Sequence, residues 1–118
     1  MVSIRGATTI DRDIPEELLS GTTELLKDII TVNKLDLNKI NAIFFTCTQD
    51  LISAYPAKAA RDMGITQSSL MCLQEMYVEN SLAKCIRVCI FYDDDHISDH
   101  VKHVYLKNAL FLRPDLSK

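Results

Sequence analysis

The apolar positions of this chain change their spacing along its length, and each change marks an element. Leu18, Thr22, Leu25, Leu26, Ile29 and Ile30 recur at helical intervals, the pattern of one helix face. Asp13 is placed to cap that helix, Pro15 suits its first turn, and Glu16 and Glu17 suit the positive end of the helix dipole. The pattern ends near Asn33. Ahead of it, "SIRGATTI" is rich in β-branched residues and predicts a first strand, with Gly6 marking a bulge or a close backbone approach. Asp36 caps a short helical turn running to Ile40. "NAIFFTCT" predicts a buried strand, and "SAYPAKAARDMG" a second helix with Pro56 in its first turn and Gly64 as its stop. "SLMCLQEM" predicts a short strand that leads into a polar loop around "VENS". "KCIRVCIFY" predicts a strand apolar on both faces, and Asp93 to Asp95 a turn. "ISDHVKHVYLKN" predicts a third helix capped by Ser98, and "ALFLRPDL" a closing extended piece.

This order of elements predicts an α+β fold, a single mixed sheet with helices packed on one face, formed by residues 1–118 as a single domain. The other face of such a sheet needs a cover, and a homo-oligomer is one way to supply it. With 118 residues, 47% hydrophobic and 25% charged, the chain has the composition of a globular domain rather than a disordered tail or a fibre. A net charge of −3 argues against nucleic acid as a partner. No apolar run approaches the ~20 residues of a membrane span. "MVSIRGATT" lacks the apolar core of a secretory signal, so the cytoplasm is the expected compartment. Cys47, Cys72, Cys85 and Cys89 lie in apolar runs without a CxxC pair and read as reduced, buried small side chains.

The chemistry concentrates on "KCIRVCIFY". Alternation puts Cys85, Arg87, Cys89 and Phe91 on one face and Ile86, Val88 and Ile90 on the other. A guanidinium cannot shed its charge, and leaving it buried and unpaired costs several kcal/mol, so something anionic must meet Arg87. One answer is internal: an ion pair with Glu75, the lone acid of "CLQEM", across neighbouring strands. The other is a pocket in which Arg87 meets an anionic ligand and Glu75 a donor on that ligand. Arg5 beside Gly6, Lys58 and Arg61 on one face of the second helix, and Arg113 before Pro114 add further cations. Each alone reads as a surface charge. Together they fit a small polyanion, with carboxylates the class that arginine grips by paired hydrogen bonds.

Metal and nucleophile readings fare worse. Cys85 and Cys89 on a strand lie roughly 13 Å apart, too far to share one ion. His96, His100 and His103 fit an exposed helix face, with no evident set of ligands to complete a site. Cys72 has no His nearby in sequence to activate it, and no phosphate-loop, dinucleotide or hydrolase motif occurs.

The motifs "IRGATT", "YPAKAAR", "CLQEM", "KCIRV", "HVYL" and "LRPDL", in that order from Ile4 to Leu116, resemble the monofunctional AroH-type chorismate mutases, the small bacterial enzymes of mixed α/β fold. The resemblance implies rearrangement of chorismate to prephenate, an isomerase step towards phenylalanine and tyrosine, with no cofactor and no metal. It also implies a pseudo-α/β-barrel-like homotrimer with active sites between subunits. By this resemblance Arg87 and Glu75 are the catalytic pair, and Arg5, Cys72 and Tyr105 line the substrate site. Tyr55, Lys58 and Arg61 would wall it from the adjoining subunit, Tyr55 standing where Phe is common. Arg113 would cover it from the C-terminal segment. Two departures stand out: Met71 where a small Thr is usual, expected to alter packing near the ligand, and a "VENSLAK" loop without the glycine pair of some relatives. A non-catalytic trimer that binds a small aromatic carboxylate is the competing reading.

Overall fold

The structure is a computed structural model that describes residues 1–94 and 100–112. Its elements run β1 (Val2–Thr9), α1 (Pro15–Asn33), a 3-10 turn (Leu37–Lys39), β2 (Ile40–Cys47), α2 (Ala57–Asp62), β3 (Ser69–Gln74), β4 (Cys85–Tyr92), β5 (Val104–Tyr105) and a second 3-10 segment (Lys107–Phe111). The five strands form one sheet in the order β3-β2-β4-β1-β5. β4 runs antiparallel to both β1 and β2, while β2 pairs with β3 and β1 with β5 in parallel. This is the mixed α+β sheet expected from the order of elements.

The helices cover one face of it. Leu25, Leu26 and Ile29 of α1 and Ala57 and Ala60 of α2 pack with Ile4, Ile43, Phe45, Val88 and Ile90 in one buried cluster. Gly6 lets α1 come close to the sheet. A Cβ there would stand 2.8 Å from Ile29 Cδ1 and 2.9 Å from the Val104 carbonyl oxygen, inside van der Waals contact with backbone that cannot yield. The expected close approach is therefore the reason for this glycine.

α1 ends at Asn33 as its periodicity predicts, and Asn33 then takes on a second task. Its side-chain amide donates to the Lys102 carbonyl (2.9 Å) and its side-chain oxygen accepts the Lys102 N–H (2.8 Å). That grip lays residues 102–106 along β1, where Gly6 pairs with Val104 and Ala7 with Tyr105. Here the sequence expectation needs correction: residues 101–106 form no helix, because sheet pairing and the Asn33 clamp win over the helical spacing. Ser98, the proposed cap, lies outside the described residues. Of the closing piece, Ala109–Phe111 belong to a 3-10 segment over Lys107–Phe111 rather than to extended chain, and residues 113–116 lie outside the described residues.

Two smaller expectations also change. Asp13 does not cap α1, whose N-cap is Ile14 without a side-chain bond. Instead its carboxylate accepts the N–H groups of Ile52 (3.0 Å) and Ser53 (3.1 Å) and ties the loop after β2 to the start of the helix. The second helix is shorter than its sequence window, and it stops where Gly64 takes a φ of +95°. Asp36 behaves as expected, accepting the Asn38 N–H at 2.9 Å at the head of the first 3-10 turn. No helix among the described residues is long and apolar enough to cross a membrane.

Candidate active site

Side chains on the sheet face away from the helices build a groove of about 360 Å³. Register explains its lining. Arg87 of β4 stands opposite Ala7 of β1 and Thr46 of β2, Cys89 stands opposite Arg5 and Phe44, and Tyr105 of β5 stands beside Ala7. Paired residues point to the same face, so one strand-wide row delivers Arg5, Phe44, Thr46, Arg87 and Tyr105 into the same groove. Glu75 joins them from the residue after β3. Its N–H still donates to the Cys47 carbonyl at 2.9 Å, which continues the ladder for one step.

Arg87 Nε lies 3.4 Å from Glu75 Oε1, with side chains 45% and 23% exposed. The ion pair expected between the two residues is therefore present, but not across neighbouring strands: β2 lies between β3 and β4. Thr46 of that intervening strand donates its hydroxyl to the same Oε1 at 2.5 Å. The picture of β4 as a strand buried on both faces also needs correction. Ile86 and Ile90 on the helix side are sealed, whereas the Arg87 face is open, as Met71 and Leu73 of β3 also are. The periodicity of an apolar strand is the same whether its second face is covered or bare. At the far end the open face is closed by the last 3-10 segment, where Ala109 packs with Ala7, Cys85 and Tyr105.

The remaining polar partners fix backbone. Arg5 N–H donates to His103 Nδ1 at 3.0 Å, and Leu106 N–H donates to the Ala7 carbonyl at 2.9 Å. Together they hold the Arg5 and Tyr105 strands in step. Three of the four thiols are poor nucleophiles. Burial pushes Cys47 up to about 12 and Cys85 up to about 11, the latter against the pull of the Arg87 guanidinium, and burial also raises Cys89 despite Arg5. A protonated thiol does not attack, so Cys89, which lines the groove, is no ready nucleophile there, and the charged groups of the groove are Arg5, Glu75 and Arg87. Among the described residues no three His, Cys, Asp or Glu side chains gather as a metal site would need; His96 lies outside them.

The sequence-predicted site residues thus separate into groups. Arg5, Glu75, Arg87 and Tyr105 share the groove. Cys72 pairs with Phe45 on the helix side and, with Tyr55, lines a second cavity of about 550 Å³. Lys58 and Arg61 lie exposed on α2, outside both cavities, and Lys58 Nζ meets Asp62 at 2.9 Å. Arg113 lies outside the described residues. Met71, the departure from the family pattern, sits on the open face opposite Phe44. Sequence reading missed Thr46 and Phe44, although the alternation of "NAIFFTCT" against "KCIRVCIFY" contains the signal that puts both on the Arg87 face.

Comparison with known proteins gives the family. The chain is 42% identical over 114 residues to chorismate mutase AroH of Thermus thermophilus, covering 96% of this chain and 93% of the relative. It is 43% identical over 115 residues to chorismate mutase AroH of Bacillus subtilis, covering 97% and 91%. A solved chorismate mutase from Clostridium thermocellum matches with a TM-score of 0.89 and 44% identity, over 92% of this chain and 97% of that one. Residues 1–116 match the family model described as chorismate mutase type I. Matched in sequence and in fold nearly end to end, this chain belongs to the type I chorismate mutases.

Proposed function

We propose that the groove binds chorismate and rearranges it to prephenate without acid–base or covalent help from the protein. In this reaction one C–O bond breaks as one C–C bond forms, within one molecule and without proton transfer. Two tasks remain for the protein. It holds a flexible dianion in the folded conformation in which the reacting carbons meet, and it stabilises the negative charge that grows on the ether oxygen as that bond lengthens. Arg87 serves the ether oxygen. A fixed cation favours the transition state over the ground state there, because the charge appears only during reaction. Glu75 accepts a hydrogen bond from the substrate hydroxyl and holds Arg87 in place, while Arg5 and Tyr105 bind carboxylates.

The same reading assigns the outlying residues to assembly. Tyr55, Lys58 and Arg61 lie away from the groove of their own chain, and the groove face is bare and largely apolar, with Phe44, Met71 and Leu73 exposed. A homotrimer in which each copy lends its Tyr55, Lys58 and Arg61 to a neighbour's groove accounts for both. A cytoplasmic location belongs to this reading.

The observation that carries the proposal is the Arg87–Glu75 pair at 3.4 Å on the open face. The test follows the loss of chorismate absorbance with purified protein. Arg87→Ala is expected to lower kcat by about 10²–10³ or more, the cost of removing a preorganised transition-state donor. Arg87→Lys keeps the charge but loses the planar fork and is expected to recover only part of the rate. An Arg87→Ala protein with near wild-type turnover would refute the assignment, and binding of chorismate without turnover by the wild-type chain would favour a non-catalytic module.

A further inference from the structure

Glu75 occupies an awkward place for a residue that must hold still. It is one step beyond β3, and the chain after it, Met76 to Val78, is exposed. Its N–H bond to the Cys47 carbonyl fixes its backbone but not its carboxylate, which swings on three single bonds. The ion pair with Arg87 is long for a hydrogen bond at 3.4 Å and is formed by a residue itself 45% exposed. One side chain on the groove face is stiffer. Thr46 is the penultimate residue of β2, still held by strands on both sides, opposite Arg87 on one and Leu73 on the other, and its branched Cβ restricts χ1. Its hydroxyl donates to Glu75 Oε1, and a hydrogen bond from an O–H to a carboxylate is among the stronger kinds.

Both contacts fall on Oε1, the Thr46 hydroxyl and Arg87 Nε alike, and Oε2 receives neither. We propose that Thr46 is a positioning residue: it pins Oε1, sets the carboxylate plane, and so leaves Oε2 as the acceptor presented to the substrate while Oε1 orients Arg87. The inference rests on the functional reading of Glu75 and Arg87 and adds to it the group that preorganises them. Thr46 touches neither substrate nor reacting atoms in this scheme. Its effect passes through Glu75.

The test uses the full chain and the chorismate absorbance assay. Thr46→Val removes the hydroxyl at nearly constant shape, and Thr46→Ala does so without added bulk should valine disturb folding. Either is expected to lower kcat by about 10- to 100-fold, the fold-change of losing a hydrogen bond to a charged group, with KM shifted less than about threefold. Thr46→Ser keeps the donor and restores kcat to within about threefold of wild type. In a Glu75→Gln background, Thr46→Val is expected to change kcat less than about twofold, because its route of action is gone. A folded Thr46→Val or Thr46→Ala protein with wild-type kcat overturns the proposal. So does a loss that serine fails to rescue, or one that is as large with Glu75→Gln as without it. If Glu75→Gln alone retains wild-type kcat, the functional reading of Glu75 falls first and the role of Thr46 with it. A crippled Glu75→Gln beside an unaffected Thr46→Val rejects the positioning role alone.

Discussion

On β2 two adjacent phenylalanines meet different surroundings: Phe45 is 0% exposed beneath the helices, and Phe44 is 41% exposed at the groove. On β4 the alternation repeats, with Ile86, Val88 and Ile90 against the helix side and Arg87, Cys89 and Phe91 on the other. The two faces share every strand, so their backbones are equally fixed, and only the covering differs. The helix face supplies the apolar burial that makes the chain fold. The groove face is spared that task, which is why it can carry a guanidinium and a carboxylate that a sealed core would tolerate only at high cost.

Five substitutions sharpen or break this division. The largest effect belongs to the sealed side. Phe45→Ala is expected to cost about 3–5 kcal/mol, the toll of a large cavity in a packed core, read from the urea midpoint, while Phe44→Ala costs less than half as much. Equal losses at the two positions would mean that the faces are not distinct. Next is Arg87→Ala, for which the loss of turnover should come with a urea midpoint close to wild type. A parallel collapse of stability would place Arg87 in the folding machinery instead. Gly6→Ala comes third, at about 1–3 kcal/mol for overpacking, since its methyl would meet Ile29 and the Val104 carbonyl. Its harm should show in thermal unfolding.

The smallest effect is electrostatic. The Ile52 and Ser53 N–H groups hold the Asp13 carboxyl below its ordinary value of 3.8. A carboxyl depressed on folding contributes stability above its unfolded value and loses it as pH falls through the folded one. Asp13→Asn is therefore expected to lower the Tm slightly at pH 7, with the gap to wild type closing as the pH is taken well below 3.8. A gap independent of pH would mean that the charge is immaterial.

What could be read in the sequence follows from how local each cause is. The spacing from Leu18 to Ile30 gave α1 because the periodicity and the burial are properties of the same segment. The alternation in "KCIRVCIFY" gave the facing of Arg87 but not its exposure, since covering is decided by other elements. The segment from Val101 to Asn108 misled because its conformation is set by Asn33 and β1, contacts nearly seventy residues distant in the chain at Lys102. Thr46 was invisible as more than a β-branched strand former, because its hydroxyl's partner lies 29 positions away. Tyr55 entered through resemblance alone, Lys58 and Arg61 also as cations on one helix face, and none of the three lines the groove of its own chain.

The pairing of β4 with both β1 and β2 carries a further consequence for how this chain can change over generations. Side chains alternate with a period of two, so inserting or deleting one residue before Arg87 in β4 would turn the guanidinium in among the helices and push Ile86 or Val88 out to the groove. Such a frame change would damage fold and chemistry at once. Length variation in relatives should therefore collect in the connections, above all the exposed stretch between Glu75 and Cys85, and spare the ladder that joins Arg5, Thr46 and Arg87.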